Sequence, residues 1–318
     1  AGLTAFSLII DIAELVADDA AAASPDTAAW ANAVQSDGGD IRCTDESDTE
    51  LPFDLIDWDY NSGSPTGLIR VKRSLTANTS TEKVRVWVGT TGTAIAYDAN
   101  DVSGFGSDNA YISSFEGHYP TREGTGSSAY DRTAHGETAT LVTDVGWSGD
   151  ALSFDGTHGG VTLMSSRPLD GGAEFTIMAS VNADDMTADR GIFYSDIHGG
   201  NYPILFWLDN DTTDKFAALV TCSDSATTGS VYSGTTVSAN TDYHVALVWD
   251  GTNVRLYING AEDTTGSFPV SLTSAALKSD TGTYTIGNDQ NGAKDFSGTI
   301  SQVSILSAAL DSDWIAHE

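Results

Sequence analysis

Residues 243–260 read YHVALVWDGTNVRLYING, and this stretch predicts a β-hairpin. Apolar side chains recur at every second position of its first half, which is the period of a strand with one face against a core. Asp250-Gly251 lies between the two halves, and Asn259-Gly260 follows the second. Both dipeptides favour the positive φ that tight turns require. The stretch therefore indicates an antiparallel sheet with a hydrophobic inner face.

The same period of two recurs elsewhere, for example in residues 84–88 (VRVWV) and 175–181 (FTIMASV). Helical patterns are confined to residues 26–34 and 310–315. Short apolar stretches separated by Gly, Ser, Thr and Asp are typical of β-sandwiches and jelly rolls. The pattern predicts an all-β fold.

Two domains are expected, because 318 residues are too many for one ordinary core. Residues 98–109 (DANDVSGFGSDN) are rich in turn formers and show no alternation. We therefore predict a small β-sandwich at 1–108, serving attachment or packing, and a jelly roll at 109–318. Trp30, Trp58 and Trp87 offer large apolar surfaces to the core of the first domain.

The charge of the chain excludes several classes of partner. It carries 35 Asp and 10 Glu against 9 Arg and 5 Lys, a formal net charge of −31. No segment concentrates the cations that neutralise a phosphate backbone, so nucleic-acid binding is excluded. The negative field opposes an anionic bilayer and no apolar run has the length of a membrane span, so we expect no membrane insertion. Cys43 and Cys222 are too few for a disulfide framework.

Several ordered motifs are similar to those of a known family. They are AYDRT (129–133), ALSFDG (151–156), FTIMA (175–179), the hairpin described above and FSGTI (296–300). In this order they resemble the laminin-G-like, concanavalin A-like jelly-roll domains of surface and secreted proteins. The resemblance implies a concanavalin A-like (laminin-G-like) jelly roll for residues 109–318.

The N-terminal region also carries a resemblance. VQSDGGDIR (34–42), ELPF (50–53), Trp58-Asp59 and GLIRVK (67–72) resemble a small uncharacterised β-domain found immediately upstream of such jelly rolls. That pairing occurs in bacterial envelope proteins and in phage tail or virion proteins. It implies surface exposure and attachment, without naming a ligand.

A structural calcium ion is the cofactor that the resemblance implies, held near the opening turn and the closing strand. Matched by position, Asp131 and Glu116 are the expected ligands. The closing strand departs from the family, because Ser301 and Gln302 stand where an acidic pair is usual. None of the six histidines has a zinc-ligand spacing.

Two loops combine aromatic or imidazole rings with polar groups, as sugar-binding sites do. We predict ligand contacts by His198, Asn201 and Tyr202 in one loop, and by Asp155 and His158 in the other. Local packing of these loop residues is the alternative interpretation.

Glu46, Asp48 and Glu50 form an E-x-D-x-E sequence, which on a strand would place three carboxylates on one face. Glycoside hydrolases use paired carboxylates as nucleophile and proton donor. These three, however, lie outside the jelly roll, in a short segment with the composition of a solvated turn. We therefore predict no catalytic residues.

Together these features predict a non-enzymatic, surface-displayed adhesion or carbohydrate-binding protein. The expected setting is a phage virion component, such as a tail fibre, head fibre or decoration protein, located extracellularly or on the virion surface. Its expected partners are a cell-surface glycan or other virion and surface proteins, and assembly as a homo-oligomer is left open. Two alternatives stay open as well: a purely structural decoration protein without glycan binding, and a glycan hydrolase.

Overall fold

The computed structural model describes residues 3–14, 34–36, 38–60, 65–75, 83–89, 109–142, 144–157, 159–164, 166–195, 202–210, 214–288 and 294–316. The chain divides into two compact units. The N-terminal unit comprises Ala1–Ser113 and Arg132–Gly136, and the C-terminal unit comprises Ser114–Asp131 and Glu137–Glu318. The domain boundary predicted at residues 98–109 lies, apart from Asn109, outside the described residues.

The N-terminal unit contains two three-stranded antiparallel sheets, ordered β1-β5-β4 and β3-β2-β6. Their strands are β1 (Leu3–Asp11), β2 (Arg42–Thr44), β3 (Glu50–Leu51), β4 (Phe53–Asp59), β5 (Thr66–Leu75) and β6 (Arg85–Trp87). Ile41, Cys43, Phe53 and Ile69 belong to one buried cluster, which draws on both sheets. This unit therefore has a hydrophobic core of its own.

Of the three tryptophans expected in this core, two lie among the described residues. Trp58 packs against the cluster, whereas Trp87 is 48% exposed. Its indole N–H donates to Thr44 Oγ1 at 2.8 Å. Val86 and Val88, on either side of Trp87, pack against the cluster, so the Trp87 side chain lies on the opposite face of the strand. Trp30 lies outside the described residues.

The C-terminal unit is a two-layer β-sandwich. The nine-stranded sheet contains β7 (Phe115–Tyr119), β10 (Val145–Trp147), β11 (Leu152–Asp155), β13 (Phe175–Ala183), β18 (Tyr243–Trp249), β19 (Asn253–Ile258), β20 (Ala261–Glu262), β21 (Val270–Ser271) and β23 (Ser297–Leu306). The eight-stranded sheet contains β8 (Ser128–Ala129), β9 (Ala139–Leu141), β12 (Val161–Met164), β14 (Arg190–Ser195), β15 (Ile204–Asp209), β16 (Lys215–Val220), β17 (Val231–Thr236) and β22 (Tyr284–Ile286). The predicted all-β fold is confirmed.

One hydrophobic core joins the two sheets of the C-terminal unit. Ile177 of β13 and Leu247 of β18 share it with Phe206 of the opposite sheet. The hairpin predicted from residues 243–260 is confirmed as β18 and β19, with positive φ at Gly251, Asn259 and Gly260. Because alternate side chains face this core, those between them lie on the outer face of the nine-stranded sheet.

The C-terminal segment covers part of that outer face. Helix α1 (Ser312–Ile315) forms where one turn was predicted, and the Asp311 carboxylate caps it by accepting from the Trp314 amide at 3.0 Å. Upstream of α1, the Thr176 hydroxyl donates to the Ala308 carbonyl at 2.7 Å. Part of the outer face is therefore closed by the chain itself. The helix predicted at residues 26–34 lies, apart from Val34, outside the described residues.

The N-terminal unit contains a buried ionic network. Arg132 Nη2 donates to Asp54 Oδ1 at 2.5 Å, and the Tyr111 hydroxyl donates to Asp54 Oδ2 at 2.8 Å. The Arg70 guanidinium lies 4.9 Å from the centre of the Tyr111 ring. Burial, followed by the negative charge of Asp54, raises the pKa of Tyr111 well above its ordinary value. All four side chains are at most 3% exposed, so the charge of Asp54 is compensated by protein groups and not by water.

Asp263 links the edges of the two sheets in the C-terminal unit. Its carboxylate follows β20 and accepts backbone N–H bonds from Gly234 and Thr235 of β17, at 3.2 and 2.9 Å, and from Thr265 at 3.0 Å. Burial raises the pKa of this carboxyl, but the N–H donors outweigh that effect and lower the pKa to about 2. The ionised form is therefore the form that the fold stabilises.

We expect Asp263→Asn to lower the free energy of unfolding near neutral pH by about 1–2 kcal/mol, since hydrogen bonds to a charged group are lost. The folded-state pKa lies below the ordinary 3.8, so this contribution is complete above that value and is lost as the pH falls towards about 2. The difference between wild type and variant should shrink over this range. Urea denaturation at several pH values measures it, with exposed Asp150→Asn as the control. A difference independent of pH would contradict the assignment.

Candidate functional site

A polar groove of about 370 Å³ lies on the nine-stranded sheet of the C-terminal unit. Residues of β13, β18 and β23 and of the adjoining turns line it: Ser180, Val181, Asn182, Asp242, Tyr243, His244, Asn259, Thr299, Ser301 and Gln302. Most of these side chains alternate with core residues and therefore face outward. The volume is at the lower end of the roughly 300–1,000 Å³ of small-ligand sites.

The first row of groove residues runs across the strands of the sheet in the order Ser301, Ser180, His244 and Asn259. Ser180 is paired with His244 on one side and with Ser301 on the other. Beyond His244, the Asn259 side-chain oxygen accepts from the His244 backbone N–H at 2.9 Å. Because strands are about 4.8 Å apart, the row extends over roughly 14 Å. It places hydroxyl, imidazole and amide groups on one line.

The second row lies beside the first. Asn182 is paired with Thr299 across the sheet, and its side-chain nitrogen donates to Asp242 Oδ1 at 2.7 Å. This bond fixes the donor end of the Asn182 amide on Asp242. The carbonyl end of the amide is then directed away from Asp242, where it can accept a hydrogen bond from a ligand hydroxyl.

A β-bulge shapes the side of the polar groove that β23 forms. The register between β13 and β23 shifts between Met178 and Ser180, and Gln302 has a φ of 51°. Positive φ is uncommon for a non-glycine residue, and bulges redirect side chains at functional sites. The Gln302 side-chain oxygen accepts from the Ser180 hydroxyl at 3.4 Å. The bulge therefore brings an amide into the groove.

The predicted ligand-binding loops are only partly described. His198 and Asn201 of the first loop and His158 of the second lie outside the described residues. Tyr202 lies just before β15 of the eight-stranded sheet and packs against a small apolar cluster that includes Trp207. Tyr202 is thus on the other sheet from the polar groove. Its role as a ligand contact stays a prediction.

Asp155 lies at the end of β11, on the same outer face as the polar groove. It is paired with Ser297, two positions from Thr299. Its Oδ1 accepts from the backbone N–H and the hydroxyl of Thr157, both at 2.8 Å. This is the side-chain geometry of an Asx turn, so Asp155 stabilises its own loop. Its contact with a ligand stays a prediction.

The two expected calcium ligands have partners within the C-terminal unit. Asp131 accepts backbone N–H bonds from His118 at 2.9 Å and Glu137 at 3.2 Å, one on each oxygen. Glu116 accepts from the Ser307 hydroxyl at 2.5 Å. Within the described part of the chain, no group of three or more His, Cys, Asp or Glu residues could hold a metal ion. Calcium also takes backbone carbonyl and water ligands, so a calcium ion at Asp131 and Glu116 stays a prediction.

The E-x-D-x-E carboxylates of the N-terminal unit are bound to three different arginines. Glu46 pairs with Arg73 and Asp48 with Arg85, each at 2.5 Å, and Glu50 lies 3.8 Å from Arg42. The segment is the predicted turn, with Asp48 at a φ of 62°.

Hydrogen bonds from its own backbone amide and from Arg73 lower the pKa of Glu46. A proton donor in glycoside hydrolysis requires a raised pKa. Glu46 therefore does not have the raised pKa of a proton donor.

The helices of the structure give no indication of a membrane-spanning segment. Among the described residues, none is both long enough and apolar enough to cross a bilayer.

The C-terminal unit is thus a two-layer β-sandwich with a polar groove on one sheet. The sequence profile of the Laminin_G_3 family, described as the concanavalin A-like lectin/glucanases superfamily, matches residues 155–316. The chain belongs to this superfamily. The predicted concanavalin A-like jelly roll is thereby confirmed, whereas the resemblance of the N-terminal region to a small upstream domain stays a prediction.

Solved structures with the same fold include an enzyme and a binding domain. Trypanosoma rangeli sialidase, in complex with the inhibitor DANA, has a TM-score of 0.50 and 14% identity over 82% of this chain and 41% of that one. The receptor binding domain of botulinum neurotoxin D has a TM-score of 0.50 and 13% identity over 64% of this chain and 51% of that one. The present chain thus corresponds to about half or less of each. A comparison with curated proteins found no match.

Proposed function

We propose that this protein is a non-enzymatic, surface-displayed carbohydrate-binding adhesin, and that its glycan binds in the polar groove. The observation that carries the proposal is the convergence of hydroxyl, amide, imidazole and carboxylate groups in two rows on one sheet face. Sugars present closely spaced hydroxyls, and such groups can donate to and accept from them. The superfamily and the receptor-binding neighbour agree with a binding role.

The proposal that the protein lacks enzymatic activity rests on carboxylate chemistry. Glycoside hydrolysis ordinarily uses two carboxylic acids, roughly 5–10 Å apart, on either side of the scissile bond. Among the described residues that line the polar groove, Asp242 is the only carboxylic acid, and it accepts a hydrogen bond from Asn182. The similarity to a sialidase, at 14% identity, is one of fold.

The proposed setting is the surface of a phage virion, with a cell-surface glycan as the partner. The support is the net charge of −31, which keeps an exposed protein hydrated and apart from other acidic surfaces, together with the resemblance of the N-terminal region. A purely decorative role is the competing proposal. Mapping the protein on an intact particle would favour decoration if the polar groove were buried at a lattice contact.

We expect Asn182→Ala to weaken binding to the best glycan of a broad panel by about tenfold, the effect of losing one well-formed hydrogen bond. Titration calorimetry of the full chain measures the affinity. Asn253→Ala is the matched control, because Asn253 belongs to β19 of the same sheet but does not line the groove. Its affinity should stay within about twofold of wild type.

Two further arms of this experiment separate the alternatives. Loss of binding in Tyr202→Ala but not in Asn182→Ala would move the site to the predicted loops. Sugar release from the panel would contradict the non-enzymatic assignment. The same titration with calcium and then with chelator tests the proposed structural calcium at Asp131 and Glu116, and unchanged binding would count against it.

A further inference from the structure

We infer that the polar groove selects uncharged glycan segments and rejects sulfated, phosphorylated or sialylated ones. This inference rests on the proposed carbohydrate-binding function and names the ligand class for that site. It follows from which charges line the groove and which cations lie on the same sheet face.

The described lining of the polar groove contains a carboxylate and no strong cation. Asp242 supplies the carboxylate, and none of the described lining residues is Lys or Arg. Tyr243 turns its ring towards the core, where it meets Phe216 edge-on at 5.5 Å. A bound sulfate or carboxylate would therefore meet a like charge without the guanidinium or ammonium group that ordinarily holds such anions.

The arginine on the same sheet face is engaged elsewhere. Arg255 of β19 lies four residues from the groove residue Asn259, a separation of roughly 13 Å along a strand. Its guanidinium pairs with Asp250 and, at 3.5 Å, with Glu262. An anion in the groove would have to compete with both carboxylates for it. The chain as a whole adds repulsion through its net charge of −31.

The neutral groups of the groove suit hydroxyls in both hydrogen-bonding directions. Thr299 and Ser301 can donate and accept, and Ser180 can accept while its O–H donates to Gln302. The Asn182 amide is positioned by Asp242. Because Asp242 already accepts from Asn182, its charge fixes an amide and excludes anions at the same time. The groove thus combines recognition of hydroxyls with discrimination by charge.

The test compares neutral oligosaccharides with their sulfated counterparts, using the full chain at low and at physiological ionic strength. We expect wild type to bind the neutral form at least about tenfold more tightly at low salt, with a smaller ratio at higher salt because salt screens the repulsion. Asp242→Asn keeps an oxygen acceptor for Asn182 and removes the charge, so the ratio should fall several-fold. Asp150→Asn removes the same charge from an exposed turn and should leave the ratio unchanged.

Equal or tighter binding of the sulfated form by wild type would overturn the inference while leaving carbohydrate binding intact. The same holds if Asp150→Asn lowers the ratio as much as Asp242→Asn, because the discrimination would then arise from net charge alone. Absence of binding to every neutral and sulfated oligosaccharide by folded protein would overturn the inference together with the proposed function.

Discussion

Arg132→Met is expected to lower the free energy of unfolding of the N-terminal unit by about 3–5 kcal/mol, the cost of leaving a buried charge without its partner. Asp54 is fully buried and accepts from Arg132 at 2.5 Å, and methionine has no group to replace that donor. The Tyr111 hydroxyl remains on the carboxylate but cannot compensate for a full charge. Hydrogen exchange of the β4 and β5 amides measures the loss in this unit.

Two controls define what the Arg132 result means. Arg85→Met breaks the exposed pair with Asp48 and should cost less than about 1 kcal/mol, because solvent screens such pairs. The double variant Asp54→Leu, Arg132→Met should recover much of the stability, since both charges of the buried pair are removed together. A loss below about 1 kcal/mol in Arg132→Met alone would show that Asp54 does not depend on this arginine.

Gly298→Ala is expected to lower the free energy of unfolding of the C-terminal unit by about 3–5 kcal/mol, from backbone strain and overpacking together. Gly298 has a φ of 127°, which side chains rarely tolerate. A Cβ there would overlap the backbone oxygen of Asn182 and lie 2.9 Å from the Ala183 Cα. Relief requires β23 to move away from β13, so binding in the polar groove should weaken as well. Urea denaturation and the glycan titration measure the two effects.

Gly146→Ala is the matched control for Gly298→Ala. Gly146 lies in β10 of the same sheet, and a Cβ built on it has no neighbour within 4 Å. This substitution should change stability by less than about 0.5 kcal/mol. If Gly298→Ala were equally mild, β23 would not be held against β13 as closely as the structure shows.

The strands of the C-terminal unit could be predicted because their signals are local. Residues 243–249 alternate with a period of two, and Asp250-Gly251 and Asn259-Gly260 supply turn conformations that few other dipeptides adopt. The structure places β18, the turn and β19 at these residues. The residue types around Glu46 also predict a turn without reference to distant segments, and the structure confirms a turn there.

The polar groove could not be predicted in this way. Ser180, His244 and Ser301 are separated by more than fifty residues, and each is an ordinary outward-facing strand residue in its own segment. Their meeting depends on strand order and register, which long-range pairing decides. The departure from the family at Ser301 and Gln302 was the one sequence signal at this site. In the sequence it concerns the acidic pair of the expected calcium site, whereas the structure shows both residues lining the groove.

The sequence by itself determined the all-β class, the acidic charge and the principal hairpin, because periodicity, turn chemistry and composition depend on neighbouring residues. Its ordered motifs carried the resemblance to the superfamily. Tertiary structure alone decided which outward-facing polar side chains share a groove. It also decided that Arg132, placed by sequence among motifs of the C-terminal unit, completes a buried network with Asp54 in the N-terminal unit. Both outcomes depend on pairing between distant segments. The residue type of a carboxylate or an amide does not indicate which distant group it will contact in the folded chain.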